Sequence, residues 1–381
     1  MKTCFSPICL SQASLRQLCQ PSNIRQACYS FVKLLNIINC HFTMREINSR
    51  KTKRGLKMQK IKLWNGIEVP RIGVGCWAIG GTKSNDGPST SYGSVNDDDS
   101  RAGLNRAYEM GARFFDTASG YGAGHSEILI GEEISKHEDA VIVTKFGYPI
   151  DDVKNISGAP DVSPQAIREN IEGSRRRLKR DTLDLVFLHL NGYDVDDAVE
   201  VFDTLDELVH EDKIAAYGWS DDNAKSIAQF IDRPHFGAVE NDLNLFTPAT
   251  EMMRLIADKG SVSICRLPLA MGLLSGKFSG GEKLPDNDVR AQAFDWLRFF
   301  KDGQPSPEYL KMLDALKDLL TFGGRTVAQG SLSWILAYSP HALPVPGFKN
   351  TKQAEENFAV ANMDLLPDHI MSDIAKILGS F

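Results

Sequence analysis

Long apolar runs are absent from this sequence of 381 residues. The stretch from Phe31 to Ile38 is strongly apolar, but Lys33 and Asn36 interrupt it. A membrane-spanning helix needs about 18 or more consecutive apolar residues. We therefore exclude a protein that spans a membrane, and we expect no membrane partner.

Cysteine is scarce in most of the chain. Only Cys76 and Cys265 follow residue 57, whereas the other five of the seven cysteines precede it. Secreted domains that depend on disulfides carry many more cysteines for their length. The chain after residue 57 is therefore no disulfide scaffold, and its composition predicts a protein of a reducing compartment, which we take to be the cytoplasm.

Acidic side chains are almost missing from residues 1–57, which hold ten Lys or Arg and one acid, Glu46. The remaining residues hold 33 basic and 48 acidic side chains, so the net charge changes from +9 to −15. We favour a disordered extension or an over-called start, because Met58 directly precedes the first strand-like segment. A mitochondrial transit peptide is the alternative that the composition allows. A nucleic-acid-binding arm, suggested by the basic run 50–54, ranks last, and we expect no nucleic-acid partner.

A hairpin is predicted at the start of the regular sequence. Residues 60–63 and 67–69 alternate polar and apolar side chains on either side of Asn65-Gly66. Asn-Gly is the strongest short hairpin signal, because both central residues of a type I′ turn need positive φ. We therefore predict a type I′ hairpin here.

Short strand-like runs alternate with helical segments through the rest of the chain. The predicted strands are residues 72–76, 113–118, 140–145, 183–189, 214–219, 237–241, 262–266 and 343–345. Two intervening segments have helical periodicity, with apolar stripes at Ile167, Ile171, Ser174 and Leu178 and at Val199, Phe202, Leu205 and Leu208. Ser163-Pro164 supplies the cap of the first of these helices.

Eight strand-helix units indicate a parallel sheet, because parallel strands need crossover connections. In about 310 residues, such units close more economically into a single (β/α)₈ barrel than they open into a doubly wound sheet. No Gly-x-Gly-x-x-Gly follows the first strand, which disfavours a Rossmann domain. We predict an α/β protein with one TIM barrel at residues 58–381, entered through the hairpin.

Four ionisable residues follow or end consecutive predicted strands: Asp116, Tyr121, Lys145 and His189. The barrel architecture collects the carboxyl ends of its strands at one face. An ammonium group beside a phenol favours the phenolate and lowers the pKa of the phenol, and a carboxylate can hold the ammonium in place. An imidazole can hydrogen-bond to a substrate oxygen. This set suits protonation of a carbonyl oxygen, but a cofactor must supply the hydride.

Several ordered sequence blocks carry a resemblance to a known family. They are residues 114–118 and 121–127 with Gly131, then 143–147, 184–189, 213–214 with 218–220, 268–277, and 345–348 with 356–357. Together they resemble the aldo-keto reductases. The resemblance implies a catalytic tetrad of Asp116, Tyr121, Lys145 and His189. In it, Tyr121 is the general acid, Lys145 with Asp116 lowers the pKa of Tyr121, and His189 orients the substrate carbonyl.

The loops after strands seven and eight of a barrel often bind phosphate, which favours a dinucleotide here. Backbone amides near Gly272, Leu274 and Gly276, with Lys277, are predicted to bind pyrophosphate, and Lys349 to bind the extra ribose phosphate of NADP. The resemblance adds a larger set to the cofactor site: Gln353, Glu356 and Asn357 at the adenosine end, Ser220 and Asn241 near the nicotinamide amide, Phe246 as a stacking or packing ring, and Trp77, Pro268, Leu269, Gly347 and Phe348.

The sequence departs from the family pattern at three places. It has Glu240-Asn241 where Gln-Asn is common, Arg266-Leu267 where an aromatic residue commonly precedes Pro-Leu, and Asp221 where Asn frequently follows Ser220. Our hypothesis is that Glu240 pairs with Arg266, which explains why both changes occur together.

These observations predict an oxidoreductase that uses NADP(H) to reduce an aldehyde or ketone, with no metal and no covalent intermediate. One alternative is an NAD(P)-dependent dehydrogenase of an aldose or other sugar. The other is a regulatory, channel-associated subunit that binds the dinucleotide. The partner is a small carbonyl or sugar substrate, whose identity the sequence does not fix, and the sequence does not determine the oligomeric state.

Overall fold

The computed structural model describes residues 58–82, 89–151 and 156–381. The predicted basic extension, residues 1–57, lies outside the described residues. None of the helices in these ranges combines the length and the apolar character of a membrane span. Both described cysteines, Cys76 and Cys265, are buried free thiols.

The described residues form short strands alternating with helices. The strands are β1 (Lys60–Lys62), β2 (Glu68–Pro70), β3 (Val74–Gly75), β4 (Phe114–Asp116), β5 (Val141–Phe146), β6 (Ile150–Asp151), β7 (Ile156–Ser157), β8 (Leu185–Leu188), β9 (Tyr217–Ser220), β10 (Phe236–Asp242), β11 (Ser263–Arg266), β12 (Phe300–Lys301), β13 (Gln304–Pro305) and β14 (Ala342–Pro344). The helices are α1 (Asp97–Glu109), α2 (His125–Glu133), α3 (Pro164–Leu178), α4 (Val195–His210), α5 (Ala224–Ile227), α6 (Thr250–Lys259), α7 (Pro307–Leu320), α8 (Val327–Tyr338), α9 (Thr351–Phe358) and α10 (Asp368–Leu378).

Eight parallel strands make the central sheet, in the order β3, β4, β5, β8, β9, β10, β11, β14. Each overlaps one of the eight predicted strands. The first and last strands also meet, because Gly73 N donates to Pro344 O at 2.9 Å and Gly75 N to Pro346 O at 3.0 Å. These bonds close the sheet, so the predicted (β/α)₈ barrel is confirmed.

The hairpin β1–β2 closes one end of the barrel. Its apolar side chains pack with the inward side chains of the strands, and Trp64 occupies the space that Gly237 leaves at the start of β10. The predicted hairpin is therefore present, but the type I′ turn is wrong. Gly66 has φ +84°, whereas Asn65 is not among the residues with positive φ, so only one residue of the pair adopts the left-handed conformation.

Side chains of each barrel strand alternate between the interior and the helix layer, as the period of two requires. In β5, Val141 and Val143 pack in the interior cluster, and Ile142 packs in the larger cluster around the helices. Lys145 continues the inward series at the carboxyl end of the strand. The same alternation determines which residues of the other strands face the site.

The two predicted amphipathic helices are present as α3 and α4. Ser163 caps α3 by accepting a hydrogen bond from Ala166 N, and the predicted apolar stripe of that helix is buried. In α4, Phe202, Leu205 and Leu208 are buried as predicted, but Val199 is 46% exposed. The buried face includes Ala198 instead, because the apolar stripe lies slightly to one side of the predicted one.

Candidate active site

The Lys145 ammonium lies at the centre of the site and is completely buried. Its Nζ donates to Asp116 Oδ1 at 2.6 Å, Thr117 O at 2.9 Å and the Tyr121 hydroxyl at 3.2 Å. Burial alone would lower the pKa of Lys145, but the charge of Asp116, followed by that of Glu240 where it is ionised, outweighs burial and raises that pKa above its ordinary value. The ammonium is therefore charged and fixed against the phenol.

The loop after β4 positions Tyr121, and the backbone of this loop can follow its path only because residue 122 is glycine. A side chain at Gly122, whose φ is +62°, would lie 2.0 Å from Gly80 O. The backbone at Tyr121 therefore packs directly on the short 3₁₀ turn Ala78–Gly80, which follows Trp77. This close approach of two backbone segments fixes the origin of the phenol side chain.

The structure corrects the expected acidity of Tyr121. Burial raises the pKa of Tyr121 well above its ordinary value, and the charge of Lys145 lowers it only in part. Lys145 acts in the predicted direction, but the predicted net lowering is wrong, because loss of hydration disfavours the phenolate more strongly than the ammonium favours it. The phenol is therefore protonated at neutral pH.

His189 directly follows β8 and faces Tyr121. Their ring centroids are 6.0 Å apart in an edge-to-face arrangement, and Tyr148 lies at 6.1 Å on another side of the imidazole. Burial, with the charges of Lys145 and Arg266, lowers the pKa of His189 well below its ordinary value. The imidazole is therefore uncharged. All four residues of the predicted tetrad thus lie together at the carboxyl ends of the strands.

Glu240 is the residue that the sequence reasoning placed with the wrong partner. Its side chain is 1% exposed, and its Oε2 lies 3.3 Å from Lys145 Nζ. Arg266 forms its ion pairs with Asp222, at 2.5 Å, and with Asp242, at 2.8 Å. The hypothesis of a Glu240–Arg266 pair is therefore wrong, because two other carboxylates form the ion pairs of the guanidinium.

Ser220 and Asn241 were predicted to lie near the nicotinamide amide, and their hydrogen bonds differ. Ser220 is buried and its Oγ accepts a hydrogen bond from Arg266 at 3.1 Å. Asn241 points away from Glu240: its Oδ1 accepts from Ser263 Oγ at 2.8 Å and its Nδ2 donates to Asp242 O. Strand alternation turns Asn241 to the outer face, so its place at the nicotinamide amide stays a prediction without a supporting contact among the described residues.

Phe246 belongs to an aromatic cluster. Its ring centroid lies 5.1 Å from that of Tyr309 and 6.2 Å from that of Phe299. The packing alternative for Phe246 is thus the one that the contacts favour.

The segment 268–277 after β11 is compact and partly closed on itself. The amides of Gly272 and Leu274 both donate to Leu269 O, at 2.8 and 3.1 Å, and Gly276 N points to Leu273 O at 3.4 Å. Because these amides donate within their own turns in this structure, their binding of pyrophosphate stays a prediction. Pro268 is buried at the start of this segment.

Side chains, rather than amides, give this end of the site its positive charge. We call Lys277, Arg290 and Lys349 the cation group. Burial and the charges of Arg290 and Lys349 lower the pKa of Lys277. Lys349 donates to Tyr92 O, and Asp288 pairs with Arg290 at 2.6 Å. Among the described residues, Lys277 has no hydrogen bond or ion pair.

Gly272 lies between two members of the cation group. A side chain there would approach Arg290 Nη1 at 3.5 Å and Lys277 Nζ at 4.0 Å, and its φ is +91°. The absence of a side chain keeps the space beside both cations open. Arg290 was missed by the sequence reasoning, because the loop that carries it has no motif.

The predicted residues after β14 form the frame of this end. Gln353 Oε1 accepts from Lys349 N at 2.8 Å, and Asn357 Nδ2 donates to Gly347 O at 3.0 Å. Phe348 is buried and packs where Gly103 of α1 leaves room. Glu356 is half-buried on α9. Asn357 and Phe348 therefore stabilise the segment itself.

Aromatic side chains border the tetrad. Trp77 stacks on Tyr121, with centroids 5.9 Å apart, and its Nε1 donates to Thr90 O. Trp296 lies 6.5 Å from Trp77 and is 48% exposed. The sequence reasoning missed Trp296, because it lies in the loop between β11 and β12, outside the barrel strands and every recognised motif.

The family model and two similar proteins found by comparison are named as reductases. Residues 71–378 match the family model described as the aldo/keto reductase family. The chain is 27% identical to the aldo-keto reductase yakc of Schizosaccharomyces pombe, whose name specifies NADP(+), over 82% of this chain and 91% of that protein. It is 28% identical to the NADH-specific methylglyoxal reductase of Escherichia coli, over 81% of this chain and 95% of that protein.

Solved structures extend the similarity to three dimensions. The glycerol dehydrogenase AKR11B4 from Gluconobacter oxydans superposes with a TM-score of 0.71 at 26% identity, covering 85% of this chain and 96% of that one. Fold, site geometry and sequence similarity thus agree. The chain belongs to the aldo/keto reductase family, a family of oxidoreductases.

Proposed function

We propose that this protein reduces an aldehyde or ketone to an alcohol with NADPH, and that Tyr121 is the general acid. One observation carries the proposal: Lys145 Nζ joins Asp116 Oδ1, at 2.6 Å, to the Tyr121 hydroxyl, at 3.2 Å. This contact fixes the direction of the phenol and places a positive charge beside the oxygen that becomes negative when the proton leaves.

Each residue of the tetrad has a defined task in this proposal. Tyr121 donates its proton to the carbonyl oxygen, and Lys145 stabilises the resulting phenolate. Asp116 holds Lys145 in place. His189 is uncharged, so its ring can hydrogen-bond to the carbonyl oxygen without competing as an acid. The raised pKa of Tyr121 keeps the proton on the phenol until a substrate accepts it.

The cation group supports a bound dinucleotide. Three cations meet here, and Asp288 is the one carboxylate with an ion pair to them among the described residues. Two of the cations lower the pKa of the third, as expected where a bound anion is needed to balance repulsion. When bound, the nicotinamide supplies the hydride. We assign NADP(H), because Lys349 is free of carboxylate partners among the described residues and an NADP(+)-specified relative is similar to this chain.

The domain that performs this reaction is residues 58–381 in our proposal, and the substrate is a small carbonyl compound. We place the protein in the cytoplasm, with mitochondria as the alternative if residues 1–57 act as a transit peptide. Oxidation of a polyol is a second candidate activity, because a glycerol dehydrogenase has the same fold at 26% identity.

The test is Tyr121→Phe in the full chain. We expect NADPH binding, followed by the change in nucleotide fluorescence, to persist, whereas carbonyl reduction falls by about 10²-fold or more. Tyr148→Phe is the matched control, because Tyr148 also borders His189 but does not contact Lys145. Reduction retained in Tyr121→Phe, across a panel of aldehydes and ketones, would show that another group is the acid.

A further inference from the structure

The carboxyl group of Glu240 lies beside Lys145, but the three N–H donors of the ammonium are already used by other acceptors. An ammonium has three N–H donors. Asp116, Thr117 and Tyr121 accept all three. Glu240 Oε2 also lies close, 3.3 Å from Nζ, but neither of its oxygens has a hydrogen-bond partner among the described residues. The contact of Glu240 with the ammonium is therefore mainly one of charge, since any hydrogen bond from Nζ at this distance contributes least to the pKa of Glu240.

No group that the structure describes around Glu240 is free to stabilise a second negative charge beside that of Asp116. On the neighbouring strand β9, Ser220 accepts from Arg266. On β11, Arg266 pairs with Asp222 and Asp242. On β4, Asp116 adds a negative charge.

Burial raises the pKa of Glu240 to about 8, although Lys145 lowers it; Asp116 raises it further and Arg266 lowers it. The thiol of Cys265, on the outer face of β11, and the hydroxyl of Tyr121 are the other titratable groups near this carboxyl. Burial raises the pKa of Asp116 as well, but Asp116 accepts a 2.6 Å hydrogen bond from the ammonium and Glu240 does not, so Asp116 carries the charge and Glu240 is uncharged below about pH 8.

We propose that Glu240 is a positioning residue that acts through Lys145: uncharged, it leaves the lysine charge available to Tyr121, and ionised, it neutralises that charge. The inference rests on the proposed role of Tyr121 as the acid. In the uncharged state Lys145 has one counter-carboxylate, and its field stabilises the phenolate. Ionisation of Glu240 adds a second carboxylate at the same ammonium, so Tyr121 holds its proton more tightly.

The direct test is titration of the Tyr121 phenol, followed by phenolate absorbance in the full chain and corrected with Tyr121→Phe. Glu240→Gln keeps the shape of the side chain and cannot ionise. We expect Tyr121 to lose its proton about one pH unit lower in Glu240→Gln than in the wild type, since a nearby like charge has been removed. Asp242→Asn is the matched control on the same strand and face, and we expect it to leave the titration of Tyr121 in place.

The pH profile of carbonyl reduction gives a second readout. In the wild type, kcat/KM is expected to fall above about pH 8, where Glu240 ionises, and Glu240→Gln is expected to lose that limb. Superimposable phenol titrations of the wild type and Glu240→Gln overturn the inference. If that happens while Tyr121→Phe is inactive, the proposed function stands and only the role of Glu240 fails.

A measurement on the wild type alone covers the case in which Glu240→Gln does not fold. Infrared spectra should contain the carbonyl band of a protonated buried carboxyl at about pH 6 and lose it toward about pH 10. An ionised carboxylate spectrum throughout that range contradicts the proposal.

Discussion

Trp77 lies nearly parallel to Tyr121, with ring centroids 5.9 Å apart and planes inclined by 20°. The indole therefore covers one face of the phenol whose hydroxyl contacts Lys145. His189 borders the edge of the same phenol, with ring centroids 6.0 Å apart, so we expect a carbonyl to approach the hydroxyl from the His189 side. The tetrad and the aromatic border thus act on the same group from different sides.

Asp116→Asn is expected to destabilise the fold as well as the site. It removes the negative partner of a completely buried ammonium, and breaking such a pair by one side costs about 3–5 kcal/mol of unfolding free energy. Urea denaturation of the wild type and the variant measures this. Asp373→Asn is the control, because Asp373 pairs with Lys376 on the exposed face of α10. Equal losses of unfolding free energy in the two variants would mean that the buried ion pair contributes no more to stability than the exposed one.

His189 makes stability depend on pH. Its folded-state pKa lies below its unfolded value, so the unfolded chain binds the proton more readily and stability falls as the pH drops below about 6.5. The contribution is fully present above that pH, and its loss is at most about 1.4 kcal/mol for each pH unit. We expect His189→Gln to flatten the acid limb of the unfolding free energy. His210→Gln, on the exposed face of α4, should keep the wild-type slope.

Lys349→Ala should weaken NADPH binding about 10- to 100-fold, because a hydrogen bond to a charged group contributes about 1.5–3 kcal/mol. NADH affinity should change much less, since NADH lacks the ribose phosphate. Equilibrium binding of both nucleotides measures the difference. Lys352→Ala is the control, because Lys352 is exposed on α9 and close in sequence. A parallel loss of both nucleotides would assign Lys349 to the shared pyrophosphate.

Trp296→Ala is expected to change substrate preference without changing NADPH binding. The indole is 48% exposed and lies 6.5 Å from Trp77, at the open side of the aromatic border. Removing it should raise KM for aldehydes with aromatic substituents more than for short aliphatic ones, by roughly 10-fold. Phe322→Ala, another exposed aromatic residue, is the control. Unchanged KM ratios would remove Trp296 from the substrate site.

Gly131→Ala tests a backbone contact between helices. A side chain at Gly131 in α2 would lie 2.0 Å from Arg177 O, and backbone cannot yield as a flexible side chain does. We expect a loss of about 1–3 kcal/mol in unfolding free energy. Gly120→Ala is the control, because no atom lies within 4 Å of its added side chain. Comparable stability of the two variants would show that α2 and α3 adjust without cost.

Much of the fold could be predicted from the sequence, because the patterns that indicate strands and helices are local. Alternating apolar runs located all eight barrel strands, and the strand ends located Asp116, Tyr121, Lys145 and His189. Asp116, Lys145 and His189 need only their own strands to bring them to the shared face of the barrel, whereas the loop after β4 brings Tyr121 there. The helix caps and stripes were equally local, and the misplaced Val199 lies next to the buried Ala198 in sequence.

Burial, pKa and side-chain partners depend on residues from several strands and helices, so only the tertiary structure decided them. Burial by surrounding strands, and not the neighbouring Lys145 alone, determines the pKa of Tyr121. Strand alternation and the partners of Arg266 decided that Glu240 faces the ammonium and Asn241 does not. The sequence by itself determined which chemical groups reach the carboxyl ends of the strands. Only the closed barrel decided which of them share hydrogen bonds and charge, because those interactions join residues far apart in the chain.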